Sequence, residues 1–352
     1  MEPDFVTLAG GGSGQLANVL IANNFDPNCL RPYIGRDGRS YRTVIQNGKP
    51  KSVLIQNATA TLRKDDWKLL DEAIIKAAKQ RLRAFADLRS AGLQFVIPNG
   101  MGKTVLEHET QSDISPATIS MDGLRKSDQD RPEFNLVNMP LPIIHKDFSF
   151  SARQIQTSRN GGSPLDTTTA ELAGRRVAEE VEKLTLGTAS AYTFGGGTVY
   201  GYTNFPSRLT KTMTAPTSAN HATTVAEILA MKTQSQDAKH YGPWFCYCST
   251  SWDEFMDEDY STAKGDNTLR DRIEKIEGID RPVTLDYLPA KTLLLVQKTG
   301  DVARAVVGMD ITTAQWESQG GLELNYKVMA ILLPQVRADH NSNTGIVHGT
   351  HA

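Results

Sequence analysis

The sequence has few cysteines, almost no net charge and no long apolar run, and each shortage excludes a class of protein. Three cysteines, Cys29, Cys246 and Cys248, among 352 residues make no disulfide framework, which indicates a reducing compartment. A net charge of −2 gives no global attraction to nucleic acid. No apolar run approaches the roughly 18 residues of a membrane span, so we expect no membrane partner. The acidic start MEPDFVTLAGGG lacks the basic region of a signal peptide.

Two glycine-rich segments resemble parts of nucleotide-binding sites, and each lacks a necessary element. Gly12, Gly14 and Ala17 have the spacing of a dinucleotide site. The residues that follow cannot supply the second strand and the acid of a βαβ unit. Gly102 and the Lys-Thr after it resemble the end of a phosphate-binding loop, but Ile97 occupies the position of the first glycine of that loop. We interpret the first segment as an arm that leads into a short helix at 15–24, and the second as a turn between strands.

Metal-binding and catalytic patterns are also incomplete. Cys246 and Cys248 form one C-x-C without a second ligand pair, and the seven histidines lack metal-ligand spacing, so we expect buried structural cysteines. The acidic run 253–259 lacks the frame of a calcium loop and is typical of a solvated helix face. The sequence therefore predicts no catalytic residue, no cofactor, no metal site and no enzymatic activity. A soluble nucleotide-binding enzyme, based on the glycine-rich N-terminus, is the alternative from another class.

Two long helices are the clearest structural prediction. The first spans 65–90 with Asp65 as N-cap, and the second spans 164–186 with Ser163 as N-cap and Pro164 at the first helical position. At 1.5 Å per residue the second helix would be roughly 30 Å long. The apolar stripes are Trp67, Leu70, Ile74, Ala78, Leu82 and Phe85 in the first helix, and Leu165, Leu172, Ala173, Val177, Val181 and Leu184 in the second.

The other segments predict strands and loops. Residues 1–63 carry seven basic and four acidic side chains, a net charge of +3, and are typical of extended chain that is ordered by packing on something else. Residues 97–140 predict a long hairpin, because two β-like runs flank a charged stretch at 121–134 with few large apolar side chains. The glycine-rich stretch 187–204 predicts a loop. Residues 217–290 predict a separate α/β unit, which three β runs and the polar tail RADHNSNTGIVHGTHA follow.

Residues 139–187 resemble a stretch of tailed-phage major capsid proteins and encapsulins. In these families a β segment ends in a P-x-x-x-K-D-F element, and an Arg, a PLDT helix start and a long spine helix with Arg, Ala and Glu follow. The matching residues here are Pro142, Lys146, Asp147, Phe148, Arg153, Pro164, Leu165, Asp166, Thr167, Arg176, Ala178, Glu179 and Glu182. A second block, 243–333, is similar to the apical subdomain and return strands of the same families.

The resemblance covers roughly 65–335 and implies an α+β protein with the Hong Kong phage-type major capsid fold. In this fold a long hairpin, the E-loop, and an N-terminal arm lie over neighbouring subunits. The implied parts are an N-terminal arm at 1–63, the helix region of a peripheral domain at 64–96, an E-loop at 97–140, the peripheral domain with its spine helix at 141–200, an axial domain at 201–290, and peripheral return strands with a C-terminal tail at 291–352.

The function implied is that of a major capsid protein that self-assembles, as pentamers and hexamers, into an icosahedral shell around phage double-stranded DNA. This implies a virion capsid assembled in the host cytoplasm, with portal, scaffold, and cement or decoration proteins as further candidate partners. An encapsulin-type nanocompartment shell around a cargo enzyme is the alternative; residues 1–63, which precede the first long helix, favour the viral interpretation. The expected inter-subunit contact is the charged E-loop tip, with Arg125, Lys126, Asp128, Asp130 and Arg131.

Overall fold

The computed structural model describes most of the chain, and its elements belong to two compact units. The described residues are 31–35, 37–46, 49–54, 62–112, 114–115, 117–121, 124, 131–160, 167–260 and 267–351. The first unit contains the described residues of Met1–Thr104, Leu141–Thr185 and Ala305–Leu333, and the second those of Val105–Pro140, Leu186–Arg304 and Pro334–Ala352. The helix expected at 15–24, the glycine-rich motif Gly12, Gly14 and Ala17, and the helix start at Ser163 and Pro164 lie outside the described residues.

The first unit is built on a four-stranded mixed sheet. Its strands are β4 (Gln94–Val96), β7 (Ile144–Ser151), β14 (Ala303–Ser318) and β15 (Glu323–Val336), in the order β4-β14-β15-β7. β15 pairs antiparallel with β7, and β4 pairs parallel with β14. Alternate side chains of β7 enter the core, where the rings of Phe148 and Phe150 lie 5.1 and 5.6 Å from the ring of Tyr326. An aromatic cluster therefore fixes the register of β7 on β15.

Helix α1 (Lys64–Arg81) extends this aromatic cluster. The Trp67 indole meets Tyr326 edge-on at 5.9 Å and donates a hydrogen bond to the carbonyl of Pro32 at 3.0 Å. The guanidinium of Arg31 lies 4.5 Å from the Trp67 ring. The predicted apolar stripe is buried at Trp67, Leu70, Ile74 and Ala78.

The single helix predicted for 65–90 is wrong, because the chain breaks after α1 and resumes as α2 (Ala84–Ser90). Leu82 has an extended backbone, with φ −81° and ψ 99°, and is only partly buried. The N-cap position of α1 is Arg63 and not the predicted Asp65. Apolar spacing continues across the break, so periodicity alone could not reveal it.

A buried carboxylate explains where α2 begins. The backbone N–H groups of Arg83, Ala84 and Phe85 donate to the carboxylate of Glu182 at 3.2, 2.7 and 3.3 Å. Glu182 lies on α4 (Thr168–Leu186) and is 2% exposed. A carboxylate at a helix N-terminus satisfies donors that have no partner within the helix. Burial nevertheless raises the pKa of Glu182 to about 7, against the effect of the three N–H groups.

Helix α4 is the predicted spine helix, and it packs closely on α1. It follows α3 (Ala152–Asn160) and is buried along the predicted stripe at Ala173, Val177, Val181 and Leu184. The prediction that Leu172 belongs to this stripe is wrong. Leu172 is 43% exposed, because it lies one residue away from the buried i, i+4 series. A Cβ on Gly174 would lie 2.8 Å from Cγ2 of Ile74, so glycine allows the close approach of the two helices.

A small antiparallel sheet precedes α1. It consists of β1 (Tyr33–Ile34), β2 (Ser40–Gln46) and β3 (Lys49–Leu54), in that order. The ring of Tyr33 is buried and stacks on Tyr41 with 6.1 Å between ring centroids. Residues 51–54 of β3 are all exposed, so this sheet has one anchored end and one strand that the subunit does not cover.

The second unit contains a five-stranded sheet. Its strands are β10 (Leu209–Met213), β11 (Trp244–Ser249), β12 (Val283–Leu285), β13 (Thr292–Gln297) and β16 (Ile346–His351), in the order β10-β16-β13-β11-β12. Three helices belong to the same unit: α5 (His221–Asp237), α6 (Thr250–Asp257) and α7 (Leu269–Glu274). Their apolar residues, including Trp252 and Ile273, form one buried cluster with those of the sheet.

The expectation of a polar C-terminal tail is wrong in part, because residues 346–351 form β16 within this sheet. The strand pairs antiparallel with β13 and parallel with β10. Only Ile346 and Val347 are large and apolar in it, too few to indicate a strand from the sequence. As a result β13 and β16 belong to the second unit, whereas the sequence-based division placed 291–352 with the peripheral domain.

Candidate inter-subunit surface

The hairpin expected within 97–140 is a two-stranded antiparallel ribbon, which we call the β5–β6 hairpin. Its strands are β5 (Val105–Gln111) and β6 (Phe134–Pro140), and the register runs from Val105 opposite Pro140 to Gln111 opposite Phe134. A short 3₁₀ turn, Gly100–Gly102, precedes it. The glycine of the Gly-Lys-Thr segment therefore lies in a turn between strands, as predicted.

Polar contacts anchor the hairpin at the middle of β5. The Arg304 guanidinium donates to Oε1 of Gln335, and the amide nitrogen of Gln335 lies 3.1 Å from Nδ1 of His108 on β5. Burial, with Arg337 and Arg304 nearby, lowers the pKa of His108 to about 4. The imidazole is therefore neutral near pH 7, and Gln335 donates to its ring nitrogen. This chain of hydrogen bonds holds the middle of β5 on Gln335.

The far half of the hairpin is exposed on both faces. Phe134 and Leu136 are 59% and 58% exposed on one face, and Val137 is exposed on the other. Glu109 lies directly opposite Leu136, and Glu107 shares its face. Further exposed apolar residues of the same loop are Ile114, Ile119, Met121 and Leu124. Such a concentration of exposed apolar side chains is typical of an interaction surface.

The predicted E-loop tip is described in part. Arg131 is exposed, three residues before β6 begins. Arg125, Lys126, Asp128 and Asp130 lie outside the described residues. The contact assigned to these five charged side chains therefore stays a prediction. We did not predict the exposed apolar residues of the strands. Phe134 and Leu136 stand at alternate positions in a β-like run, and this spacing indicates an apolar face.

A second, shorter hairpin supports the first. The stretch 187–204, which we expected to be a loop, contains β8 (Tyr192–Phe194) and β9 (Gly197–Val199), joined by two glycines with positive φ. That turn geometry is favoured in two-residue β-hairpins. The Asn138 side chain of β6 donates to the carbonyl of Gly195 at 3.2 Å.

A pocket of about 300 Å³ lies within the second unit, between the two hairpins and Gln335 and Val336 at the end of β15. Its lining offers apolar and aromatic contact together with the imidazole of His108 and the amide of Gln335. Its large apolar and aromatic residues are Leu136, Val137, Met139, Tyr200, Phe205 and Val336. Among the described residues that line it there is no carboxylate, lysine, arginine or cysteine.

The residues that carry the family resemblance mostly stabilise the first unit. Phe148 belongs to the aromatic cluster and Glu182 caps α2. Glu179 is buried and pairs with Arg176 at 3.0 Å, and Asp147 lies 3.6 Å from Lys327. Lys146 and Arg153 are exposed, Pro142 and Thr167 are partly buried and Ala178 is buried, while 164–166 lie outside the described residues.

The other candidate sites have structural roles in the described part of the chain. Cys246 and Cys248 are buried in β11, and burial raises the pKa of both thiols. The acidic run is not simply a solvated face, because Asp253 and Asp257 both pair with Arg270, at 2.9 and 2.8 Å. The described residues include no group of His, Cys, Asp and Glu that could hold a metal ion. They also include no helix long and apolar enough to cross a membrane.

The fold is that of shell proteins. The virus-like particle of Pyrococcus furiosus matches with a TM-score of 0.55 and 15% identity, over 80% of this chain and 98% of that chain. The capsid of Myoviridae phage XM1 matches with a TM-score of 0.56 and 10% identity, over 75% and 92%. The capsid of an empty GTA particle gives 0.53 and 10%, over 77% and 91%. The protein thus has the predicted α+β Hong Kong phage capsid fold.

Within this fold class the sequence identifies a family. Residues 57–349 match a family of unknown function, DUF6260, and the chain belongs to it. The chain is also similar to the type 1 encapsulin shell protein EncA of Myxococcus xanthus, with 27% identity over 131 residues. That match covers 36% of this chain and 42% of EncA, less than half of the relative's length. The resemblance to phage capsids and encapsulins is therefore confirmed at the level of fold and lineage.

Proposed function

We propose that this chain is the subunit of an icosahedral shell, a major capsid protein that encloses phage double-stranded DNA. The observation that carries the proposal is the exposed half of the β5–β6 hairpin. Two strands alone have no core in which to bury Phe134 and Leu136, so the subunit by itself covers less than half of each side chain. A neighbouring subunit would cover these side chains. The fold supports the proposal, because the structures it matches are described as capsids and a virus-like particle.

We assign the parts of the subunit on this basis. The first unit, with its spine helix α4, corresponds to the peripheral domain, and residues 1–63 to an N-terminal arm. The α/β sheet of the second unit corresponds to the axial domain, to which we now add β13 and β16. The hairpin region 97–140 corresponds to the E-loop. Its tip residues Arg125, Lys126, Asp128, Asp130 and Arg131 are proposed to contact the next subunit.

The shell form accounts for how modest contacts give a stable particle. Each subunit would meet several neighbours in pentamers and hexamers, and closed symmetry makes many weak contacts act together. Portal, scaffold and cement or decoration proteins are proposed partners, and the virion assembled in the host cytoplasm is the proposed location. In this function the subunit is structural and catalyses no reaction.

An encapsulin-type shell around a cargo enzyme is the second candidate. The similarity to the encapsulin shell protein EncA favours it, although that similarity extends over only 42% of EncA. The two candidates share the fold and assembly and differ in what the shell encloses. They are therefore separated by the contents of the particle and not by its wall.

Electron microscopy of the purified full chain tests the proposal. We expect hollow icosahedral particles by negative stain and a sedimentation coefficient far above that of a monomer. A species that stays monomeric across protein concentration and salt would contradict both candidates. Nuclease-resistant double-stranded DNA in particles purified from the native source would support the capsid, whereas a co-purifying enzyme without DNA would support the encapsulin.

A further inference from the structure

The β2–β3 ribbon presents a basic face with an apolar centre. The register places Arg42 directly opposite Val53, and Lys51 shares the face of Val53 because the two are separated by one residue on β3. Arg42 and Lys51 are exposed, and Val53 is 37% exposed. Residues 40–54 contain three basic side chains and no acid. This face therefore offers two cations around an apolar residue.

The β5–β6 hairpin presents an acidic face of the same design. Glu109 lies opposite Leu136, Glu107 lies two residues before Glu109, and Phe134 lies two residues before Leu136, so all four share one face. Glu107 and Glu109 are exposed, and within the described part of the chain neither forms an ion pair. This face offers two anions beside two exposed apolar residues.

The two faces have opposite charges and a similar arrangement of charged and apolar residues. Each sets a charged residue directly across from an exposed apolar one, Arg42 across from Val53 and Glu109 across from Leu136. Packed face to face, two sheets bring their side chains together across about 10 Å. Val53 would then meet Leu136, while the cations of one face would meet the anions of the other. Both faces would lose exposed apolar surface and neutralise charge in the same step.

We propose that the basic face of the β2–β3 ribbon of one subunit docks on the acidic face of the β5–β6 hairpin of a second copy. The proposal rests on the proposed function and names the partner of each surface within the shell. A protein partner fits the basic face better than a nucleic acid, because a phosphate backbone offers no apolar group for Val53 to contact. Exposed ion pairs are weak alone, so their role would be to set the register of neighbours.

Charge reversal tests the pairing. Arg42→Glu with Lys51→Glu, and separately Glu107→Lys with Glu109→Lys, should raise the subunit concentration needed for assembly about tenfold, because each places like charges face to face. Combining all four substitutions should restore assembly towards the wild-type level. The matched control for the first pair is Lys68→Glu with Lys79→Glu on the exposed side of α1, which lowers the net charge by the same amount as Arg42→Glu with Lys51→Glu. Circular dichroism checks that each variant is folded.

A disulfide test shows which chains meet. In a Cys29→Ser background, we would mix subunits carrying only Val53→Cys with subunits carrying only Leu136→Cys and let them assemble. An interchain disulfide at twice the monomer mass, absent when either variant assembles alone, supports the docking. Shells that form normally without this band overturn it, as do reversed variants that assemble like wild type or are not rescued in combination.

The outcomes distinguish this inference from the proposed function. If the wild-type chain forms no particles, the proposed function fails. If particles form but the charge reversals act no differently from the Lys68 and Lys79 control, only the docking fails. If the Arg42 and Lys51 variant assembles normally but loses packaged nucleic acid, the basic face contacts nucleic acid and the docking is likewise overturned.

Discussion

Strands β11 and β13 and the β5–β6 hairpin use apolar residues in opposite ways. Every residue of β11 and of β13 is buried within the sheet of the second unit. In β6, by contrast, the four residues from Phe134 to Val137 are exposed, although three of them, Phe134, Leu136 and Val137, are apolar. The first pair of strands is stabilised within the subunit. The hairpin has apolar surface that only another molecule can bury.

The difference teaches where the stability of this protein resides. Burial contributes about 25 cal/mol per Å² of apolar surface, and this is gained on folding for the sheet but only on assembly for the hairpin. Substitutions in the buried elements should therefore lower the free energy of unfolding of the isolated subunit. Substitutions on the exposed ribbon should leave it unchanged and weaken association instead. The following variants test this division.

The largest effect is expected from Trp252→Ala in the buried cluster of the second unit. Trp252 is fully buried between α6 and the sheet, and its ring lies 5.4 Å from that of His351 on β16. Removing a buried tryptophan costs about 3–5 kcal/mol, because it leaves a cavity as well as losing burial. Urea denaturation of dissociated subunits, followed by circular dichroism, measures the loss. A change below about 1 kcal/mol would contradict the buried-core assignment.

Glu182→Gln should remove a pH dependence of about 3 kcal/mol from the first unit. Burial raises the pKa of Glu182 from 4.5 to about 7. An acid whose pKa is higher in the folded state stabilises the fold at low pH, and this contribution is lost as the pH rises from about 4.5 to above 7. Each pKa unit is worth about 1.36 kcal/mol. The measurement is the free energy of unfolding against pH for wild type and variant.

Two further buried acids also make the stability depend on pH, so the test is the difference between the pH profiles of wild type and variant. Burial also raises the pKa of Asp71 and Asp310, so the Glu182→Gln variant keeps some pH dependence of the same sign. The control is Glu180→Gln, since the Glu180 side chain is 47% exposed on the same helix. Parallel pH profiles for wild type and Glu182→Gln would show that Glu182 does not titrate as expected.

Gly174→Ala should destabilise the first unit by about 1–2 kcal/mol, because the added methyl group clashes with α1. The better helix propensity of alanine offsets part of this cost. The new methyl group would lie 2.8 Å from Cγ2 and 3.1 Å from the carbonyl oxygen of Ile74. In an Ile74→Ala background the same change should cost less, because part of the obstructing side chain is gone. A double-mutant cycle on urea denaturation measures this coupling; strictly additive effects would contradict direct contact.

The smallest effect on folding is expected from Phe134→Ser with Leu136→Ser on the β5–β6 hairpin. Both side chains are more than half exposed, so the free energy of unfolding of the subunit should change by less than about 0.5 kcal/mol. Particle formation, measured by sedimentation, should nevertheless decrease. A large loss of subunit stability with normal assembly would contradict the inference that the hairpin contributes to association and not to folding.

Much of the fold could be predicted because its signals are local. The stripes of α1 and α4, the strands β5, β6 and β11 and the turn at Gly100–Gly102 follow from apolar spacing and glycine within short windows. The resemblance between 139 and 187 then indicated the fold class. The candidate surface was predicted only in outline: the sequence indicated the hairpin from its charged middle, whereas the exposed apolar face lies on its strands.

What the sequence by itself determined is therefore the type of fold, the spine helix and a hairpin too polar at its middle to bury itself. The tertiary structure decided three further points. Glu182 ends the continuous helix expected over 65–90 by binding N–H groups about a hundred residues away, and β16 turns an apparently polar tail into a sheet strand. The register of β2 on β3 and of β5 on β6 decides which charged and apolar side chains share one exposed face. The first two points depend on contacts between segments far apart in the chain, which a local pattern of residues does not contain, and the third depends on how the strands pair.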